Sequence, residues 1–438
     1  MFGKISILQT QEEKNQLVLT MLSDIYGQTP QDAFFQSKTL CDLNTEEGRK
    51  VFLKDFFSFG AIDELLLDPN TEDIIINALN PIYVHHTYRG LVRTDKKFNN
   101  QRELDVFIKK LIVFAGRKNI RHINNLELPN IAGRVNIVNS PFGPQITITK
   151  IKDIPLSIID LINSRSLSYE LAAQLWIYIE GMNIRPANIL ILGAPGSGKT
   201  TLMNALISFI PDNERLVVIE DTLELNTTLE DSWSRLECDE GLSLADLVKN
   251  SLRMRPERII VGEVRGSEAQ DMMTAMNIGK YCMGTIHANS AREAIIRLEN
   301  EPMNIPETLV NLIDVFINVK KYQVKNSFFR VIDEVAETAG LEQKVVLLSP
   351  VWAYNYEKSI FIERQPSSVF RDKICKLGGF PPTNFITELK IRTQLLRILK
   401  EKEMHKMSEV SDFCRLYHRN KTSALEKLGI SEEHLSRD

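Results

Sequence analysis

No stretch of this chain approaches the roughly 20 consecutive apolar residues that a membrane-crossing helix needs. Contact with a membrane is therefore expected to run through a partner or a surface. The first thirty residues carry acids and glutamines in place of a signal-peptide core, which argues against secretion. Cysteines are few and scattered, and Cys41, Cys238, Cys282, Cys375 and Cys414 form no C-x-x-C pair. That spacing supports neither a disulfide framework nor a cysteine zinc site, and it fits reduced core thiols. A basic excess is also missing, because 53 Lys and Arg stand against 57 Asp and Glu, a net charge of -4. A general nucleic-acid binder would show the opposite balance. No internal repeat or low-complexity tract is found. What is present is an ordinary globular composition, 43% hydrophobic and 25% charged, and the cytoplasm is the compartment expected.

With 438 residues there is room for two or three domains. Residues 12 to 58 read as helices, with Leu17, Met21, Leu22 and Ile25 on one amphipathic face. A helical extension is expected over residues 1–55. From 56 to 155 the pattern is α+β. Thr71–Asn77 and Pro81–His86 read as strands, and residues 101 to 117 as a helix with Leu104, Phe107, Ile108, Leu111 and Ala115 on one face. Arg134–Asn139 and Gln145–Lys150 read as two more strands, separated by a Pro- and Gly-containing turn. From 156 to 345 the grammar changes to strand then helix, repeated. The apolar runs Ala187–Leu192, Leu216–Ile219, Arg258–Val261 and Cys282–His287 have the look of buried parallel strands. Residues 346 to 438 form a C-terminal extension, β-rich at first and helical in its tail. The fold class expected is α/β.

The run Gly193-Ala194-Pro195-Gly196-Ser197-Gly198-Lys199-Thr200 satisfies G-x-x-x-x-G-K-[ST] in full, with Thr201 following. Glycines let successive backbone N–H groups turn inward onto phosphate oxygens, and the helix that follows aims its positive end at the same charge. Lys199 can reach the β and γ phosphates, and the Thr200 hydroxyl can ligate magnesium. The run also follows an apolar strand and precedes a helix, as it must. ATP with Mg2+ is the ligand pair expected.

Two further apolar strands end in acids, one at Glu220-Asp221-Thr222-Leu223-Glu224 and the other at Glu263. Parallel sheets present ligand-binding groups at this carboxyl edge. ATP hydrolysis needs one carboxylate to orient water and another to hold magnesium directly or through water. Glu220 and Glu263 are the candidates, with Glu220 favoured for the water and Glu263 for the metal. A third apolar strand ends in His287, a candidate phosphate sensor, and no second histidine stands at zinc-ligand spacing from it.

These residues resemble the type II and type IV secretion ATPase superfamily, whose members drive secretion systems and type IV pili. Gly193–Thr200 looks like its Walker A motif, Ile219–Leu225 like its Asp box, Leu252–Gly266 like its Walker B, with Glu263 in place of aspartate, and Gly284–Ser290 like its His box. The likeness covers roughly residues 55 to 340 and is nearest to the tight-adherence and archaeal pilus branch. It implies a RecA-type P-loop motor, an α+β domain before it, a homo-hexameric ring, and an integral-membrane platform protein as partner. It also implies N-terminal arginines near the phosphates, and Arg134 stands in that place. Two positions depart from the family. Thr149 replaces an arginine, and Ile278-Gly279-Lys280 replaces a Thr-Gly-His. The four-cysteine zinc module of some members is absent. Two other classes remain open on the sequence: a nucleotide-gated scaffold of low turnover, and a DNA-translocating P-loop motor. The second should show basic stripes or stacking aromatics along a channel, which the sequence does not plainly display.

Overall fold

The computed structural model describes residues 58–115, 122–128, 133–150, 155–225, 231–238, 241–325 and 327–430. The helices expected over residues 12 to 58 lie almost wholly outside that range. The chain divides into two compact units, one within Met1–Asp153 plus Val324–Phe328 and one comprising Ile154–Gln323 and Phe329–Asp438. Among the described residues no helix is long and apolar enough to cross a membrane.

In the first unit a short helix α1 (Asp63–Leu67) precedes β1 (Thr71–Asn77), β2 (Tyr83–His86) and β3 (Gly90–Arg93). Helix α2 (Gln101–Phe114) follows, then β4 (Ile123–Leu128), β5 (Gly133–Ser140) and β6 (Gly143–Lys150). The six strands form one antiparallel sheet in the order β3-β2-β1-β6-β5-β4. Alternation explains the packing. Ile74 and Ile76, Val135 and Ile137, and Ile146 and Ile148 all turn to one face, where Leu104, Phe107, Ile108 and Leu111 of α2 meet them. Helix α2 starts where Asn100 accepts from the Glu103 N–H, an N-cap that satisfies one orphan donor.

The second unit opens with α3 (Ile158–Asn163) and α4 (Tyr169–Glu180), followed by β7 (Ile189–Leu192) and α5 (Lys199–Ile207). Next come β8 (Leu216–Glu220), β9 (Ser234–Glu237), α6 (Leu244–Ser251), β10 (Arg258–Val261), α7 (Glu268–Asn277) and β11 (Tyr281–Ile286). Helices α8 (Ala291–Glu299) and α9 (Glu307–Val310) lead to β12 (Val315–Val324) and then to β13 (Ser327–Glu342), β14 (Val345–Asn355) and β15 (Ile360–Glu363). All nine strands share one sheet, ordered β15-β14-β13-β12-β7-β11-β10-β8-β9. From β12 to β9 every neighbour is parallel, and β13 to β15 extend the sheet in antiparallel fashion. The architecture is α/β, with two cores on opposite faces. Ile189, Ile191, Leu216 and Val218 enter one, while Leu190, Leu192, Val217 and Ile219 enter the other. Strands buried on both faces cannot alternate apolar with polar, which is why these segments read as unbroken apolar runs.

Among the described residues four helices follow: α10 (Val369–Gly378), α11 (Pro382–Glu401), α12 (Met407–Arg419) and α13 (Lys421–Leu428). They belong to the first of these cores, where Leu395, Leu396, Leu399, Val410 and Phe413 join Trp176 of α4. Arg392 is buried over the Trp176 ring, 4.7 Å from its centroid, and pairs with Glu180 and Glu388. His418 Nδ1 lies 2.7 Å from the other Glu180 oxygen, and Lys421 reaches Glu388 at 2.6 Å. Burial pushes the Glu180 carboxyl up, but Arg392 and His418 overturn that push and hold it down at about 2.

Candidate nucleotide-binding site

Four parallel strands bring their carboxyl ends side by side. β7 runs into the glycine-rich loop, β8 ends on Glu220, β10 stops two residues before Glu263, and β11 stops one before His287. Because β11 lies between β7 and β10, His287 emerges between the loop and Glu263. Its Nε2 is 3.0 Å from Glu263 Oε1 and its Nδ1 is 3.2 Å from Lys199 Nζ. The same Nδ1 lies 3.3 Å from the Gly193 carbonyl, and the tautomer with its proton on Nε2 is the one that lets Nδ1 accept from the ammonium while Nε2 donates to the carboxylate. One imidazole thus joins the loop's cation to the acid of the next motif.

The loop turns through conformations that glycine adopts freely. Gly193 has φ 152° and Gly198 φ 101°, both in the region that favours glycine. A Cβ on Gly193 would sit 2.4 Å from Ser197 Oγ and 2.4 Å from the Val319 carbonyl. Ala194, Pro195 and Gly196 are exposed, whereas Ser197 and Lys199 are buried. Lys199 Nζ donates to the Gly193 carbonyl at 2.9 Å and the Ala194 carbonyl at 3.1 Å. Burial lowers the affinity of this amine for its proton, and the charges of Glu263 and Glu224 oppose that push. The Thr200 hydroxyl donates to Glu224 Oε2 at 3.0 Å, and Thr201 lies beside it in the first turn of α5.

Glu220 is only 2% exposed. Its Oε1 accepts from the N–H groups of Glu224 and Leu225, each at 2.9 Å, and its Oε2 faces Arg235 at 3.5 Å. Burial raises its proton affinity above the ordinary carboxylate value of 4.5, against the pull of those N–H groups and of Arg235. Glu263, by contrast, stays about one-third exposed beside His287. Of the residues expected at the site, Gly193 to Thr201, Glu220, Glu263 and His287 all gather at this edge of the second unit. Arg134 belongs to the first unit, on β5 opposite Glu127 of β4 and Thr149 of β6.

A family profile described as "Type II/IV secretion system protein" matches residues 123–332. A conjugal transfer protein, TrbB of Rhizobium radiobacter, is 33% identical over 266 residues, 58% of this chain and 80% of that protein. The chain belongs to the type II/IV secretion ATPase superfamily. An uncharacterised protein of Methanocaldococcus jannaschii is 31% identical over 396 residues, 85% of this chain and 71% of its own length. Among solved structures, the ATPase DotB of Legionella pneumophila is similar over 88% of this chain and 94% of its own, at 21% identity and a TM-score of 0.47. Superfamily membership brings nucleotide binding with it.

Two contacts at this superfamily site were not anticipated. Glu224 holds the Thr200 hydroxyl, and its place four residues after Glu220 in one acidic run was the available signal. Arg330 of β13 donates from Nε to the Gly196 carbonyl at 3.0 Å and packs its Cδ 3.4 Å from where a Gly198 Cβ would lie. No local pattern marks Arg330, because only the sheet order carries β13 to the loop.

Proposed function

We propose that this chain is an ATP-hydrolysing motor that works as a hexameric ring at the inner face of the cell membrane. It would drive assembly of a type IV-like pilus, or secretion, through an integral-membrane platform protein. The observation that carries ATP chemistry is the Lys199–His287–Glu263 link at the mouth of the glycine-rich loop. The named relatives support the motor role, since TrbB is described as a conjugal transfer protein.

Each residue then has a task. Backbone N–H groups of Gly193 to Thr201 bind the phosphates, and the Lys199 ammonium sits on the β and γ oxygens. Glu220 orients the attacking water and accepts its proton, a role suited to a carboxyl whose proton affinity burial has raised. Magnesium takes hard oxygen ligands, and the Thr200 hydroxyl with the Glu224 carboxylate 3.0 Å away supports a place for it here. Thr200 and Glu263 would hold that ion, directly or through water. When bound, magnesium supplies positive charge against the phosphate oxygens. His287 touches both Lys199 and Glu263, so it registers where the phosphates have drawn the lysine.

Purified protein is expected to run as a hexamer by light scattering when ATP is present, and to release phosphate at a rate that added DNA does not raise. A monomer with and without nucleotide would count against the ring. Stimulation by DNA would replace this reading with a DNA-translocating motor.

A further inference from the structure

We propose that Glu268 is a positioning residue for hydrolysis: it fixes the backbone turn from which Glu263 reaches His287. This inference rests on the ATPase reading above and deepens it. The turn from Gly262 to Ser267 joins β10 to α7 and carries no ladder of its own. Its first half is pinned by the strands on either side. The Gly262 N–H donates to the Ile219 carbonyl at 2.8 Å, and the Val264 N–H to the Thr285 carbonyl at 2.7 Å. The Thr285 hydroxyl returns to the Gly262 carbonyl at 2.7 Å. Glu263 therefore has a sheet-bound residue on each side, each held by a single backbone N–H bond that the rest of the turn must not pull away.

The second half of the turn has no strand beside it. There the Arg265 and Gly266 N–H groups both donate to Glu268 Oε1, at 2.5 and 2.6 Å. Glu268 is 5% exposed, and among the described residues no lysine, arginine or histidine pairs with it. A buried carboxylate without a cation is costly to keep, and hydrogen bonds to backbone donors are what offset the cost. The same bonds also cap α7: Ser267 makes no side-chain cap bond, and the Glu268 carboxylate reaches back to the N–H groups that precede the helix, so one side chain closes the helix start and the end of the turn together. Gly266 completes the fit, since a Cβ there would meet Glu268 Oε2 at 3.0 Å. The carboxylate thus holds the end of the turn, and through it Glu263, the second residue of the turn.

The test is a double-mutant cycle on the full chain, reading single-turnover phosphate release and, separately, the Kd of a fluorescent ATP analogue. Glu268→Ala should lower the hydrolysis rate about tenfold or more, because small displacements of a reacting group cost factors of that size. The Kd should stay within about twofold. Glu268→Gln keeps an oxygen where Oε1 stands and should recover most of the rate. In a Glu263→Gln background, Glu268→Ala should cost nothing further, because its effect runs through Glu263. A loss that multiplies fully in that background overturns the proposal, as does a Kd that rises in step with the fall in rate. If the alanine variant does not fold, Glu268→Asp serves in its place: it keeps the charge but falls short of the N–H groups. Wild-type turnover by folded Glu268→Asp would also overturn the proposal. Wild-type turnover by Glu263→Gln alone would instead overturn the ATPase assignment of Glu263, a separate and recognisable result.

Discussion

The Lys199 ammonium lies 3.2 Å from His287 Nδ1, although 88 residues separate the two in the chain. Strand order makes that meeting, because β11 lies next to β7 and ends beside the glycine-rich loop. Two loop carbonyls and this imidazole hold the lysine at the mouth of the loop.

Lys199→Ala should abolish ATP turnover with the fold intact, since it deletes the charge that meets the β and γ phosphates. Phosphate release and far-UV circular dichroism check the two halves of that statement. Normal turnover by a folded variant would sink the nucleotide-site assignment.

Glu220→Gln and Glu263→Gln should each slow hydrolysis at least about a hundredfold while ATP still binds. They should differ in pH behaviour. Burial raises the Glu220 carboxyl above 4.5, so the acid limb of the wild-type rate should lie above the ordinary carboxylate range. The residual activity of Glu220→Gln should lack that limb. The stability sign follows from the same shift. A raised native value favours the protonated form, so the contribution is greatest at low pH and is lost as pH rises through the native value. Glu220→Gln should therefore match or exceed the wild-type Tm at neutral pH, and a clear fall in Tm would contradict this account.

Arg134→Ala should lower turnover about tenfold or more with nucleotide affinity and Tm little changed, if its guanidinium meets charge on the transferring phosphoryl group. Unchanged turnover removes Arg134 from the site. A large fall in Tm would make it a structural residue of β5 instead.

Glu180→Gln should destabilise the protein at neutral pH by about 3 kcal/mol, because it breaks a buried ion pair and leaves Arg392 with less than its share of charge. Here the native value is depressed to about 2 from 4.5. The stabilisation is present above pH 4.5 and is lost as pH falls towards 2. Denaturant unfolding at pH 7 and pH 3 should show the gap between wild type and variant closing with acid. A constant gap would mean that Glu180 titrates normally.

Much of the second unit was legible in the residues. Leu216–Ile219 and Arg258–Val261 read as buried strands because both faces of each are covered, and the loop's glycines name their own conformations. Strand β9 was not legible, since Ser234–Glu237 lies half-buried at a sheet edge and carries no apolar pattern. β4 was missed in the same way, because its residues (INNLEL) mix polar and apolar side chains. Arg330 and Glu268 escaped for another reason. Their partners are backbone groups, the Gly196 carbonyl and the N–H groups of Arg265 and Gly266, and no residue type announces a backbone partner. The helical tail from about residue 383 was legible and α10 before it was not, and nothing local says that Arg392 lies over Trp176.

Strand β7 is four residues long, fully buried, and paired with β11 on one side and β12 on the other. Its amides should therefore be among the slowest in the chain to exchange with deuterium, opening only when the whole unit unfolds. Gly193 begins one peptide bond later. The loop is thus mounted on firmly paired backbone, and a displacement of it should be met first by the side chains that touch it, His287 and Arg330, before the strand beneath it moves.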